Sequence, residues 1–105
     1  MAKYLFVYHG GGNPPTSAAE IKQVMDAWGT WFGSMGAAVI DGGNPVGKSS
    51  TVKSDGSLAA GGGANPATGY SLIEASSLQD AHKKAKGCPL LSAGGTIEIA
   101  EAMDM

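Results

Sequence analysis

Apolar positions along the chain alternate between a period of two and a period near 3.6. The run Lys3-Tyr4-Leu5-Phe6-Val7-Tyr8-His9 is apolar on both parities: Tyr4, Phe6 and Tyr8 share one side, Leu5, Val7 and His9 the other. A strand apolar on both faces is normally covered on both, so residues 3–9 are expected to be the central strand of a sheet. The run Gly10-Gly11-Gly12-Asn13-Pro14-Pro15 ends it. Ser17-Ala18-Ala19-Glu20 reads as a capping box. Beyond it Ile21, Val24, Met25, Trp28, Phe32 and Met35 fall on one helical stripe with Trp31 at its edge, and Lys22, Gln23, Asp26 and Thr30 fall opposite. Gly29 and Gly33 each weaken this helix by about 1 kcal/mol relative to Ala, and their spacing suggests a close approach to the sheet. Gly36 is expected to end the helix in the αL conformation.

Ala37–Asp41 reads as a short second strand, stopped by Gly42-Gly43-Asn44-Pro45. Lys48–Lys53 and Ser57–Ala60 flank Ser54-Asp55-Gly56, an Asp-Gly hairpin signal. The arms are small and polar, so an exposed hairpin over about 48–60 is predicted. After Gly61–Pro66, Gly69–Ala75 is a strand. Ser76 or Ser77 caps a second helix with Leu78, Ala81, His82 and Ala85 as its stripe. Lys83, Lys84 and Lys86 sit in its last turns, where the dipole favours cations, and Gly87 and Pro89 stop it. Gly94-Gly95 precede a last strand, Thr96–Ala102, with Ile97 and Ile99 inward. The order β-α-β-(hairpin)-β-α-β predicts one α+β domain over 1–105. Two right-handed crossovers then give a ferredoxin-like antiparallel sheet, spatial order 4-1-3-2 with the hairpin left out, and both helices on one face. The second face of the first strand is apolar but has no helix. A second copy packed face to face would cover it, giving a homodimer.

Composition narrows the function classes. Of 105 residues, 43% are hydrophobic and 15% charged, which fits a packed domain and not a disordered chain. The net charge is −2, with no basic patch, so no nucleic-acid partner is expected. One cysteine allows no internal disulfide and fits a reducing compartment. The apolar run after Lys3 is too short for a signal segment or a membrane span. A cytoplasmic protein with no membrane partner is the expectation.

Candidate chemistry lies in the loops. Gly-Gly-Asn-Pro occurs at 11–14 and 42–45, and Gly-Ala-Asn-Pro at 63–66. Turn chemistry alone accounts for each. The predicted topology, however, gathers these loops and Cys88–Gly95 at one end of the sheet, where glycine lets backbone approach a ligand closely. His9, Asp41 and Tyr70 border that end, with Asn13, Asn44 and Asn65 around it. A small organic ligand at the mouth of a dimer cleft is one reading. There His9 is the candidate general base, since its pKa lies near neutrality; the bland alternative is a histidine that only hydrogen-bonds a loop. His82 reads as a core-edge residue, Cys88 as structural, and Trp28 and Trp31 as core. No metal-ligand spacing is present, and Gly10–Gly12 lacks both GxGxxG and a following Gly-Lys-Ser/Thr. No cofactor is expected.

The ordered set of segments resembles the YCII-related group, which includes the DGPF-domain relatives. It is carried by Lys3–Tyr8, by Trp28-Gly29-Thr30-Trp31-Phe32 to Gly36, and by Gly69–Ala75 with Ser77-Leu78 and Ala81. Gly87-Cys88-Pro89 and Gly94-Gly95-Thr96-Ile97-Glu98-Ile99 complete it. The resemblance spans nearly the whole chain and implies a dimeric α+β barrel. Asp55-Gly56-Ser57-Leu58 keeps only the first two letters of the DGPF box. The first helix has no His, so the His–Asp pair proposed as an active site in some relatives is missing. What the resemblance implies is a protein of unassigned function that binds a small organic ligand. Two alternatives stand beside it: a weak lyase or isomerase on a small organic acid with His9 as base, and a non-catalytic interaction module using the 48–60 hairpin.

Overall fold

Ala2–His9 form the middle strand, β1, of a four-stranded antiparallel sheet in a computed structural model that describes residues 1–12 and 16–104. In chain order there follow α1 (Ala18–Met35), β2 (Val39–Asp41), β3 (Ser50–Val52), β4 (Leu58–Ala60), β5 (Ala67–Ala75), α2 (Leu78–Ala85), a short α3 (Pro89–Ser92) and β6 (Thr96–Ala102). The sheet order is β2-β5-β1-β6, as the strand pattern predicted. The architecture is α+β and compatible with a ferredoxin-like arrangement. β3 and β4 form a separate two-stranded ladder within the expected hairpin. Among the described residues no helix is long and apolar enough to cross a membrane.

The core lies on one face. Tyr4, Phe6 and Tyr8 of β1 register with Ile73, Ser71 and Gly69 of β5. They bury against Trp31 of α1, Ala81 and Ala85 of α2, and Cys88. Trp31 stacks on Phe6 with ring centroids 6.4 Å apart, and its indole N–H donates to the Lys84 carbonyl at 2.9 Å. One side chain thus joins the sheet, α1 and the end of α2. Aromatic pairs of this kind add about 0.5–1.5 kcal/mol beyond burial itself.

Several local expectations change. Trp31, placed at the edge of the α1 stripe, is that helix's only buried side chain. Trp28, Phe32 and Met35 are half-buried, while every residue from Ala18 to Ala27 is exposed, Ile21, Val24 and Met25 included. The Ser17 cap is as predicted, its hydroxyl accepting from the Glu20 amide. Gly29 and Gly33 do not mark a close approach to the described residues, because a Cβ at either would meet none of them within 4 Å. The helix is anchored by its C-terminal half and its start overhangs. Gly36 has φ 55° and ψ −124°, which is not αL but another corner that glycine alone occupies easily, and it leads into a short 3-10 turn over Gly36–Ala38. That turn takes the first two residues expected in the second strand.

In α2 the small Ala81 and Ala85 face the core, whereas Leu78 and His82 are exposed, so His82 is not at the core edge. Ser77 is the cap, accepting from the Asp80 amide at 3.1 Å. Where the pattern read only a break, Pro89 opens α3, since its missing N–H costs nothing in a first turn.

Two glycine substitutions have opposite expected signs. Gly43 has φ 72°, and a Cβ there would run into the carbonyl oxygen of Tyr70. Gly43→Ala is expected to lower stability by about 2 kcal/mol or more in denaturant titration. Gly29→Ala, with open space around it, is expected to raise stability by up to about 1 kcal/mol in the same experiment.

Candidate functional site

The glycine loops do meet at one end of the sheet. Gly10 lies beside Gly95, Gly12 beside the Ala93 carbonyl, and Gly43 against Tyr70. A Cβ on Gly95 would stand 2.8 Å from the His9 carbonyl oxygen. These glycines press against other chain, so at these points their use is packing and turning. The sheet then separates what the sequence suggested was one site.

On the helix face a cavity of about 630 Å³ opens between the overhanging start of α1 and the ends of β1 and β5. Val24, Met25, Trp28, Gly29 and Phe32 of α1 form its roof, with Leu90 of α3 at one side. Tyr8 and Gly69 form the floor, and Gly42–Pro45 with Thr68 and Tyr70 close the sheet-edge wall. The volume falls in the range of small-molecule sites. No charged side chain is among its described lining residues. Trp28 stands edge-on to Tyr8 with centroids 5.1 Å apart, and 5.8 Å from Phe32.

A buried polar chain holds the floor. The Tyr8 hydroxyl donates to Ser71 Oγ at 2.7 Å, and Ser71 Oγ donates to the Gly42 carbonyl at 2.7 Å. Ser71 is fully buried, so its hydroxyl needs both partners. Burial pushes the Tyr8 phenol up to about 12, with the Ser71 bond pulling weakly the other way. The phenol is therefore neutral and acts as a donor.

On the opposite face sits His9. It is buried, at 8% exposure, with Nδ1 3.3 Å from the Pro66 carbonyl and Nε2 3.0 Å from Glu98 Oε1. Both partners are acceptors, so both ring nitrogens are placed to donate and the imidazolium is favoured. The Glu98 hydrogen bond is the largest cause of its raised pKa, partial desolvation opposes it, and the Pro66 carbonyl adds to it. A ring with both nitrogens donating has no lone pair to take a proton from a substrate. This is the loop-bonding histidine.

The remaining expected residues divide between the two faces. Asn44 Nδ2 donates to the Tyr70 hydroxyl at 3.3 Å at the sheet edge, and the register with Val7 puts the Tyr70 ring on the face opposite the cavity floor. Asp41 is occupied in a turn, accepting from the Gly43 amide at 2.8 Å. Asn65 lies in the loop beside Pro66, on the His9 side. Asn13 lies outside the described residues. Trp28, Phe32, Val24 and Met25 were read as core stripe; their role as a cavity roof had no signal beyond the glycine at 29. Burial pushes the Cys88 thiol up to about 11, in keeping with a structural role. Among the described residues no three His, Cys, Asp or Glu side chains gather as metal ligands.

One motif went unread. Gly42-Gly43-Asn44-Pro45-Val46-Gly47-Lys48-Ser49 fits the phosphate-loop spacing GxxxxGK[ST] and follows a strand. A phosphate loop must open a helix. Here the segment instead runs along the sheet edge, with Val46 N–H donating to the Thr68 carbonyl, and leads into β3. The Gly43 amide donates to Asp41 and the Val46 amide to the sheet, and a strand follows where a phosphate loop needs a helix. A second depression, about 450 Å³, lies between α1 and α2, but Asp80 and Lys84 there pair with each other at 3.0 Å. No protein-family model matches the chain, and no curated protein is similar enough to count as a relative.

Replacing Glu98 by Gln is expected to bring the His9 pKa back toward 6.5, followed by the ring-proton shifts of His9 across a pH titration. Because the folded-state pKa is the raised one, the pair stabilises the fold fully below 6.5 and loses that effect as pH climbs through the raised value. Glu98 is largely exposed, so the stability change is small.

Proposed function

We propose that the chain is a homodimeric binding protein of the YCII-related, dimeric α+β barrel type, which holds a small neutral apolar or aromatic ligand between α1 and the sheet. The cavity carries this reading. Its roof of Trp28, Phe32, Val24 and Met25 and its floor of Tyr8 offer apolar and aromatic contact, with no charged side chain among the described lining residues. A ligand of one or two rings fits the volume.

A carboxylate would meet no cation there, and moving an unpaired anion out of water costs several kcal/mol. This weighs against a small organic acid as ligand. The lyase or isomerase reading also needs a base, and His9 lies across the sheet with both nitrogens engaged. A binding role is therefore favoured over catalysis. The homodimer is supported by the second sheet face, where Leu5, Val7, Tyr70 and Leu72 line up in register without a helix over them.

Gly29→Leu tests the cavity. Its Cβ has open space and the longer side chain enters the roof, while leucine suits the helix better than glycine. With p-cresol as probe, followed by amide shifts, the variant is expected to bind at least about tenfold more weakly, some 1.4 kcal/mol, with no loss of thermal stability. Equal binding by variant and parent would remove the site.

A further inference from the structure

We propose that the β3–β4 hairpin is an arm that packs on a second copy of this chain. The proposal rests on the homodimer reading above and adds to it the element that clamps the two copies together.

The hairpin is built to a definite shape. Lys53 N–H donates to the Ser57 carbonyl at 2.7 Å, Gly61 N–H to the Ser49 carbonyl at 2.8 Å, and Thr51 Oγ1 to the Gly61 carbonyl at 2.6 Å. The Asp55 carboxylate accepts from both the amide and the hydroxyl of Ser57, which holds its pKa below the usual value. Yet, among the described residues, β3 and β4 pair in a ladder only with each other. A two-stranded ladder alone in water is marginal, and it needs a surface to lie on. Val52 and Leu58 are direct cross-strand partners on one face, 67% and 72% exposed. A cross-strand apolar pair stabilises when something covers it.

The dimensions point to what covers it. The radius of gyration is 15.0 Å, against about 13 Å for a compact chain of this length. The accessible surface is 7071 Å², where a folded monomer of this mass exposes about 5,400 Å². The excess of about 1,600 Å² per chain would bury about 3,200 Å² in a two-fold pair, inside the range of obligate homodimers. An isologous contact offers each copy's open sheet face and arm to the other at once.

Sedimentation equilibrium at micromolar concentration tests this on the wild-type chain and on Val52→Thr/Leu58→Thr. Threonine is β-branched, as strands favour, and removes the apolar contact at both positions; circular dichroism checks that the fold is retained. The wild-type chain is expected to be a dimer, and the double variant to dimerise at least about tenfold more weakly. If the double variant dimerises as tightly as wild type, the arm is overturned and the homodimer stands. A monomeric wild-type chain overturns both, and leaves the arm to some other protein.

Discussion

The Tyr8 hydroxyl is the buried polar group on which the arrangement turns. It cannot sit unpaired in the core, so β1 must present it to Ser71 of β5, and Ser71 must pass the bond to the Gly42 carbonyl. Three segments distant in sequence are fixed by two hydrogen bonds. The register of the central pair follows, with Tyr8 opposite Gly69, where a side chain would crowd the tyrosine ring. So does the path of the loop after β2, which Gly43 lets lie against Tyr70. The floor and the edge wall of the cavity are the visible result. Above them, among the described residues, α1 buries a side chain only at Trp31 in its C-terminal half, and the open space beneath its start is what remains.

The sheet keeps the two chemically interesting ends of the molecule apart. Tyr8 and Trp28 face the cavity, neutral and aromatic. His9 and Glu98 face the other way, joined by a 3.0 Å hydrogen bond at the rim of the open sheet face. Among the described residues, His9 shares its side of the sheet with Asn65, while Asn44 lies at the opposite sheet edge. The cavity has shape and apolar contact without a charged side chain among its described lining, and the histidine has two hydrogen-bond acceptors at its ring nitrogens.

The strand order was legible because two-sided apolarity picks out a central strand and the Gly-Pro loops separate the elements cleanly. Local caps were legible too, since Ser17 and Ser77 each act within one helical turn. What was not legible depended on distance between elements. The stripe Ile21, Val24, Met25 is indistinguishable in sequence from a core face; only the standoff of α1 makes it a roof. Trp31 becomes the anchor because its N–H finds the Lys84 carbonyl, fifty-three residues away. His9 reads equally as base or brace until Pro66 and Glu98 are seen to hold both its nitrogens. Gly29 and Gly33 illustrate the same limit, since spacing alone cannot tell a close approach from open space.

The central claim is that the cavity selects against charge, and a matched pair of probes tests it most directly. p-Cresol and p-toluate are close in size and differ in a carboxylate. Titrating both at neutral pH and following the amide shifts of α1 is expected to give saturable binding of p-cresol and at least about tenfold weaker binding of p-toluate, a gap of about 1.4 kcal/mol or more. Equal or tighter binding of p-toluate in the same cavity would contradict it.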